Sequence, residues 1–295
     1  MIMFGITRNK TVKPVHFTRL LSGQFPVQVI MPEEIYQQCQ ILQRLLSWQD
    51  SFREFHFYLP AYSYPFFVAV ASYKNSVFSS YEDFAVPSRE GVILNLSNLS
   101  SFRKALLKSE STLVAALDNY ANLKFNPPET EPLKLLSRFA GFFRLPWSLQ
   151  ELSFSFQDRD FQRARYNFFQ NKFLNFVLHL EKTETDRIRN LIVNCKQNFP
   201  VNIYLTGNTL KKHDFINLKN LAGFNLLDLY SLAREATLFI TDQPNLTHLF
   251  HSLNVTQLLL SHDHPRVETA VVDPFNLSEL KKVIPLLIKT ELDAM

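Results

Sequence analysis

Residues 236–260 read ATLFITDQPNLTHLFHSLNVTQLLL. The apolar run Ala236–Thr241 predicts a strand. The polar turn Asp242-Gln243-Pro244-Asn245 follows, then a short helical stretch at Leu246–Leu253 and a second apolar strand at Val255–Leu260. Neither strand alternates apolar with polar residues. Strands buried on both faces read this way, and they belong to parallel sheets covered by helices.

The same rhythm extends upstream. Asn175–Leu180 (NFVLHL) predicts a strand, and Thr185–Asn198 predicts a helix with Ile188, Leu191, Ile192 and Cys195 on one face. Pro200 stops that helix. Val201–Leu205 predicts a strand, Thr206-Gly207-Asn208 a turn, and Leu226–Glu235 a helix. Downstream, Ser278–Leu292 predicts an amphipathic helix interrupted by Pro285. Strand–helix alternation of this kind predicts a doubly wound α/β domain, with ligands outside the carboxyl ends of the strands.

The first half repeats the pattern less cleanly. Strands are predicted at Val27–Met31, Glu54–Leu59, Pro65–Ser72 and Gly91–Leu96. Helices are predicted at Glu33–Trp48, Phe102–Leu107 and Pro132–Phe143. The polar run Gln157–Arg165 separates the halves. The expected organisation is two domains, residues 1–160 and 161–295, each Rossmann-like.

Composition narrows the function classes. Of 295 residues, 46% are hydrophobic and 20% charged, which supports a packed core over disorder. The net charge of +4 is too small for a nucleic-acid-binding stripe, so no nucleic-acid partner is expected. Two cysteines, Cys39 and Cys195, exclude a disulfide framework and fit a reducing compartment. The apolar start MIMFGIT is too short for a secretory segment, and no run approaches the ~20 apolar residues of a membrane span. A soluble, cytoplasmic protein is therefore expected. Phe is abundant at 28 residues and Gly scarce at 6, which leaves few places for backbone to approach a phosphate.

The segment Asn220–Pro265 carries a resemblance. Leu221-Ala222-Gly223-Phe224-Asn225-Leu226, the strand ending in Thr241-Asp242, His248, and the final run to Pro265 follow one another in order. This arrangement resembles the carboxyl domain of glycosyltransferase family 9, the ADP-heptose:lipopolysaccharide heptosyltransferases. The resemblance implies the GT-B architecture, two Rossmann-like domains facing a cleft. It implies an inverting, metal-independent transfer of a heptose-like sugar from an ADP-sugar to a lipopolysaccharide or other cell-envelope glycan. It also implies no cofactor beyond the donor.

Carried onto this chain, the resemblance assigns nucleotide-sugar binding to Lys182, Gly207, Gly223, Asp242, Gln243, Asn245 and His248. Each has a plainer reading. Asp242 can be a helix N-cap, His248 a core or surface histidine, Asn245 a turn residue and Lys182 a solvated lysine, while both glycines can simply serve turns. His262 and His264 form a His-x-His pair with no third ligand nearby in sequence, so a metal site is not expected.

The chain also departs from the family. Its turn is Asp-Ser/Thr-Gly, whereas here Gln243 and Pro244 follow Asp242, and Pro244 supplies no N–H. Its Gly-Asp loop, which carries the candidate base, has no counterpart in the sequence. Glu33, Asp50, Glu54, Asp83 and Glu90 are the first-half carboxylates considered for that role, and none is singled out. Arg19, Arg44, Arg53, Lys74, Arg89, Arg103 and Lys104 would meet an anionic glycolipid or membrane surface, or are ordinary surface charge. Two functional expectations stand: an active glycosyltransferase, or a catalytically degenerate GT-B protein acting in binding or assembly.

Overall fold

A computed structural model describes residues 25–86, 91–107, 112–119, 123–156, 173–206, 219–221, 225–251, 253–261, 270–272 and 277–289. The chain divides into two compact units, Met1–Phe156 and Gln157–Met295.

Among the described residues the first unit holds five strands, β1 (Pro26–Ile30), β2 (Glu54–Leu59), β3 (Ser76–Ser80), β4 (Gly91–Asn95) and β5 (Thr112–Ala116). They form one sheet in the order β3-β2-β1-β4-β5, and every pairing is parallel. Its helices are α1 (Ile35–Leu45), α2 (Tyr64–Phe67), α3 (Ser100–Leu106) and α4 (Pro132–Phe143). Helix α1 ends in a 3₁₀ turn at Leu46–Trp48.

Register assigns the two faces of this sheet. Ile30, Tyr58, Ile93, Val114 and Ala116 pack with Phe102 and Leu106 of α3. The opposite face is aromatic. Phe55 stacks on Phe57 at 5.7 Å, Phe57 on Phe78 at 4.9 Å, and Trp48 on Phe139 of α4 at 5.9 Å. Much of the chain's phenylalanine surplus is spent here, where large rings fill the space between sheet and helices.

One expectation fails in this unit. Pro65–Ser72, expected as a strand, begins instead as the short helix α2. Pro65 sits in its first turn, where a missing N–H costs nothing. Phe66 and Phe67 are buried, and Phe66 meets Phe154 and Phe156 at 5.1 and 5.4 Å. The apolar run was a contact surface for a distant segment, not a strand.

The second unit is a six-stranded parallel sheet in the order β11-β10-β9-β6-β7-β8. Its strands are β6 (Leu174–His179), β7 (Val201–Thr206), β8 (Lys219–Leu221), β9 (Leu238–Thr241), β10 (Gln257–Leu260) and β11 (Ala270–Val272). Its helices are α5 (Thr185–Asn198), α6 (Leu226–Glu235), α7 (Pro244–His251) and α8 (Leu277–Leu287). Helix α8 runs through Pro285 without ending there, so the expected interruption is absent, and the helix begins and stops earlier than expected.

One face of this sheet carries Phe176, Leu178, Ile203, Leu205, Leu238, Ile240, Leu258 and Leu260 against α5 and α8. The other face carries Phe239 against Phe250 of α7 at 5.3 Å, with Tyr230 of α6 on Phe250 at 5.5 Å. Both sheets are thus doubly wound, as expected. In each, the first strand has the chain passing to one side and then to the other. That reversal lies between β1 and β4 in one unit and between β6 and β9 in the other. Crevices outside such reversals are where doubly wound sheets take ligands.

Candidate functional site

At the β6/β9 reversal, register brings His179, Thr206 and Thr241 side by side at the carboxyl ends of β6, β7 and β9. Asp242 follows Thr241. Its alternation with Ile240 turns the carboxylate toward the α5 side, where the loop Glu181–Thr183 leads from β6 into α5.

The carboxylate closes onto that loop. Asp242 Oδ1 accepts from the Glu181 amide at 3.0 Å, and Oδ2 from the Lys182 and Thr183 amides at 2.7 Å each and from Thr183 Oγ1 at 2.9 Å. Asp242 is only 7% exposed. Successive amides aimed at one point form an anion-binding nest, and here the protein's own carboxylate fills it. The plain reading of Asp242 as a cap changes its address: it holds the lead-in to α5 across the sheet, not the start of α7.

The start of α7 is held separately. The Gln243 amide donates to Thr241 Oγ1 at 3.1 Å, and the Gln243 carbonyl accepts from the Thr247 amide at 3.2 Å. The Gln243 side chain donates to the Glu181 carboxylate. Pro244 opens the helix and brings no donor, so the backbone donors of its first turn begin with Asn245 and Leu246. Asn245 is exposed, as is the side chain of Lys182.

His179 lies beneath this loop, 5% exposed, with Nδ1 2.9 Å from Thr206 Oγ1. The Thr206 hydroxyl donates to the Leu178 carbonyl at 3.3 Å, so the imidazole serves as the donor at Nδ1. Nε2 then faces Glu181 Oε1 at 3.6 Å. Burial lowers the pKa of His179 below its usual value, opposed by the negative charges of Glu181 and Asp242. The ring is therefore neutral at pH 7.

Of the residues expected in the site, Lys182, Asp242, Gln243 and Asn245 are brought together at this edge. Gly207, Gly223, His262, His264 and the side chain of His248 lie outside the described residues; the backbone of His248 is in α7. The reading missed His179, Glu181, Thr183 and Thr206. A polar residue inside the apolar run NFVLHL was the available signal for His179. Among the described residues, no group of three or more His, Cys, Asp and Glu side chains could hold a metal ion.

The β1/β4 reversal forms the corresponding edge of the first unit. Glu33 stands in the turn directly after β1 and is exposed. Glu34 beside it and Asp118 just after β5 are exposed carboxylates at the same end of the sheet, while the others considered are placed differently. Asp50 precedes β2 and Glu54 begins it, so both lie at the amino ends of the strands, and Glu54 Oε1 is 2.8 Å from His56 Nε2. Asp83 accepts from the Ser80 amide at 3.1 Å as part of a capping box. Glu90 is outside the described residues. Arg19 and Arg89 are outside the described residues, and the described basic residues do not share one edge: Arg53 and Lys74 precede β2 and β3, Arg103 and Lys104 lie on α3, and Arg44 of α1 sits over the Trp147 ring at 4.8 Å. No helix among the described residues is long and apolar enough to cross a membrane.

No family model matches this sequence, and no curated protein does. Solved structures do match. The E. coli ADP-heptose lipopolysaccharide heptosyltransferase II is 11% identical, with 90% of this chain and 99% of that one covered and a TM-score of 0.54. A glycosyltransferase family 9 protein from Veillonella parvula is 8% identical, covering 90% and 97%, with a TM-score of 0.58. An E. coli heptosyltransferase with ADP is 12% identical, covering 91% and 98%, with a TM-score of 0.51. At these identities the likeness is one of fold: the chain shares the GT-B architecture of these proteins.

Proposed function

We propose that the chain is a glycosyltransferase that takes its sugar from an ADP-linked donor held by the carboxyl unit. The observation that carries this reading is the β6/β9 edge, where Lys182, Asn245 and the first amides of α7 stand beside a loop pinned by Asp242. Helix amides and a lysine are what a diphosphate leaving group needs when no metal meets its charge. In the proposed reaction Glu33 takes the proton of an acceptor hydroxyl bound to the amino unit. The freed oxygen pair forms the bond to the anomeric carbon. The carbon–oxygen bond to the diphosphate breaks, and its electron pair leaves on ADP. The configuration inverts, and neither metal nor cofactor takes part. The donor sugar in this reading is heptose-like, and the acceptor is a lipopolysaccharide or other envelope glycan met at the cytoplasmic face of the inner membrane.

Titration calorimetry with ADP and ADP-heptose tests the reading. Saturable binding that weakens in Asp242→Ala and Lys182→Ala supports it, and no binding at millimolar nucleotide overturns it. One observation favours the alternative of a degenerate GT-B protein acting in binding or assembly: the Glu181–Thr183 amides are already occupied by Asp242, with the carboxylate of Glu181 beside them. Sugar transfer by the purified protein, measured as ADP release, excludes that alternative.

A further inference from the structure

We propose that Gln38 and Tyr81 are positioning residues that fix the turn after β1 so that Glu33 is presented in one orientation. This rests on the reading of Glu33 as proton acceptor given above.

The turn is restrained at successive carbonyls. Tyr81 Oη donates to the Met31 carbonyl, and Gln38 Nε2 donates to the carbonyls of Pro32 at 2.7 Å and Glu33 at 3.2 Å. The two side chains come from different elements. Gln38 belongs to α1, and Tyr81 opens the 3₁₀ turn after β3, reaching past the end of β2. The Met31 amide is held as well, donating to the Tyr58 carbonyl at 3.0 Å.

Gln38 is kept at a cost to the core. It is fully buried, and its Oε1 has no hydrogen-bond partner among the described residues. Its neighbours on the same face, Ile41, Leu42 and Leu45, are apolar. A methionine there would match its volume and leave no amide oxygen unmet. What the amide adds is a pair of hydrogens on two carbonyls of one turn.

Tyr81 is half-buried, and burial raises its pKa; a hydrogen bond with Ser97 opposes this and the Glu33 charge adds to it. The phenol thus stays a donor at any working pH, and Glu33 lies close enough for its charge to be felt. A base on a free loop loses most of its effect to wrong orientations, whereas one on a clamped turn does not.

The test compares Gln38→Met, Tyr81→Phe and Glu33→Gln with the parent. Turnover is followed as ADP release from ADP-heptose with heptose-free lipopolysaccharide, and ADP affinity is followed by calorimetry. Glu33→Gln should lose about 10³-fold in kcat with ADP affinity unchanged. Gln38→Met and Tyr81→Phe should each lose about 10-fold or more in kcat, with donor KM and ADP affinity within about twofold of the parent. A purely structural role would not separate kcat from KM in this way. If Glu33→Gln is inactive while Gln38→Met and Tyr81→Phe keep the parental kcat, the positioning role is overturned and the reading of Glu33 stands. If Glu33→Gln keeps the parental kcat, or the parent itself releases no ADP, the underlying reading falls and takes the proposal with it. Should Gln38→Met not fold, Tyr81→Phe decides.

Discussion

The two sheet reversals hold their loops with opposite chemistry. In the carboxyl unit, an acid from β9 collects the amides of the loop after β6. In the amino unit, a tyrosine and a glutamine collect the carbonyls of the turn after β1. The difference decides what each edge still offers. The first has spent backbone donors on an internal anion, so under the proposed reading an incoming phosphate would meet α7 and Lys182 instead. The second has spent backbone acceptors on neutral donors, and it leaves an exposed carboxylate in place.

The largest effect is expected where a charge is removed. Asp242→Ala strips four hydrogen bonds from one carboxylate. It should lower unfolding free energy by about 3 kcal/mol in urea titrations. Added phosphate or sulfate should recover part of that loss by occupying the vacated amides. No recovery would mean that the nest holds its shape only around its own carboxylate.

On the other side, Gln38→Ala opens a cavity and leaves two carbonyls without donors, for a loss of about 2 kcal/mol. Gln38→Met should cost less than half as much, because it fills the cavity and removes the unmet Oε1. Equal losses would show that the two carbonyl bonds, and not packing, hold the turn. Tyr81→Phe keeps the ring against Phe102 and removes one hydrogen bond, so about 1 kcal/mol is expected.

The smallest effect at neutral pH belongs to His179. Its folded pKa is lowered by burial, so the folded state disfavours the charged ring. Its contribution to stability is complete above the ordinary histidine pKa, about 6.5. It is lost as pH falls from there toward the lowered folded value. Stability measured from pH 8 to pH 5 should therefore decline more steeply in the parent than in His179→Gln. Parallel curves would show that the ring is not buried as described.

Elements with strong periodicity were legible in the sequence. Thr185–Asn198, Leu226–Glu235 and Pro132–Phe143 are helices over the expected residues. The buried strands of the second sheet read as the apolar runs that parallel pairing demands. Strands β3 and β5 of the first sheet were missed, as were β8 and β11 of the second. SVFSS is three-fifths serine and lies at a sheet edge, and TLVAA ends in alanines with weak strand preference; neighbours hold both in place. In the site, Asp242 stood out as an acid at a strand end. Its partners did not, because Lys182 and Asp242 are 60 positions apart and meet only through a parallel crossover. Gln38 and Tyr81 carry no motif, and their role exists only once three strands lie side by side.

The separation between Asp242 and its loop also bears on how the chain matures. No local hairpin or helix can create that contact, because β9 must first dock on β6 across the intervening strands and helices. Closure over such distances is slow and comes late. Protection of the Glu181, Lys182 and Thr183 amides from solvent exchange is thus a marker for completed assembly of this unit.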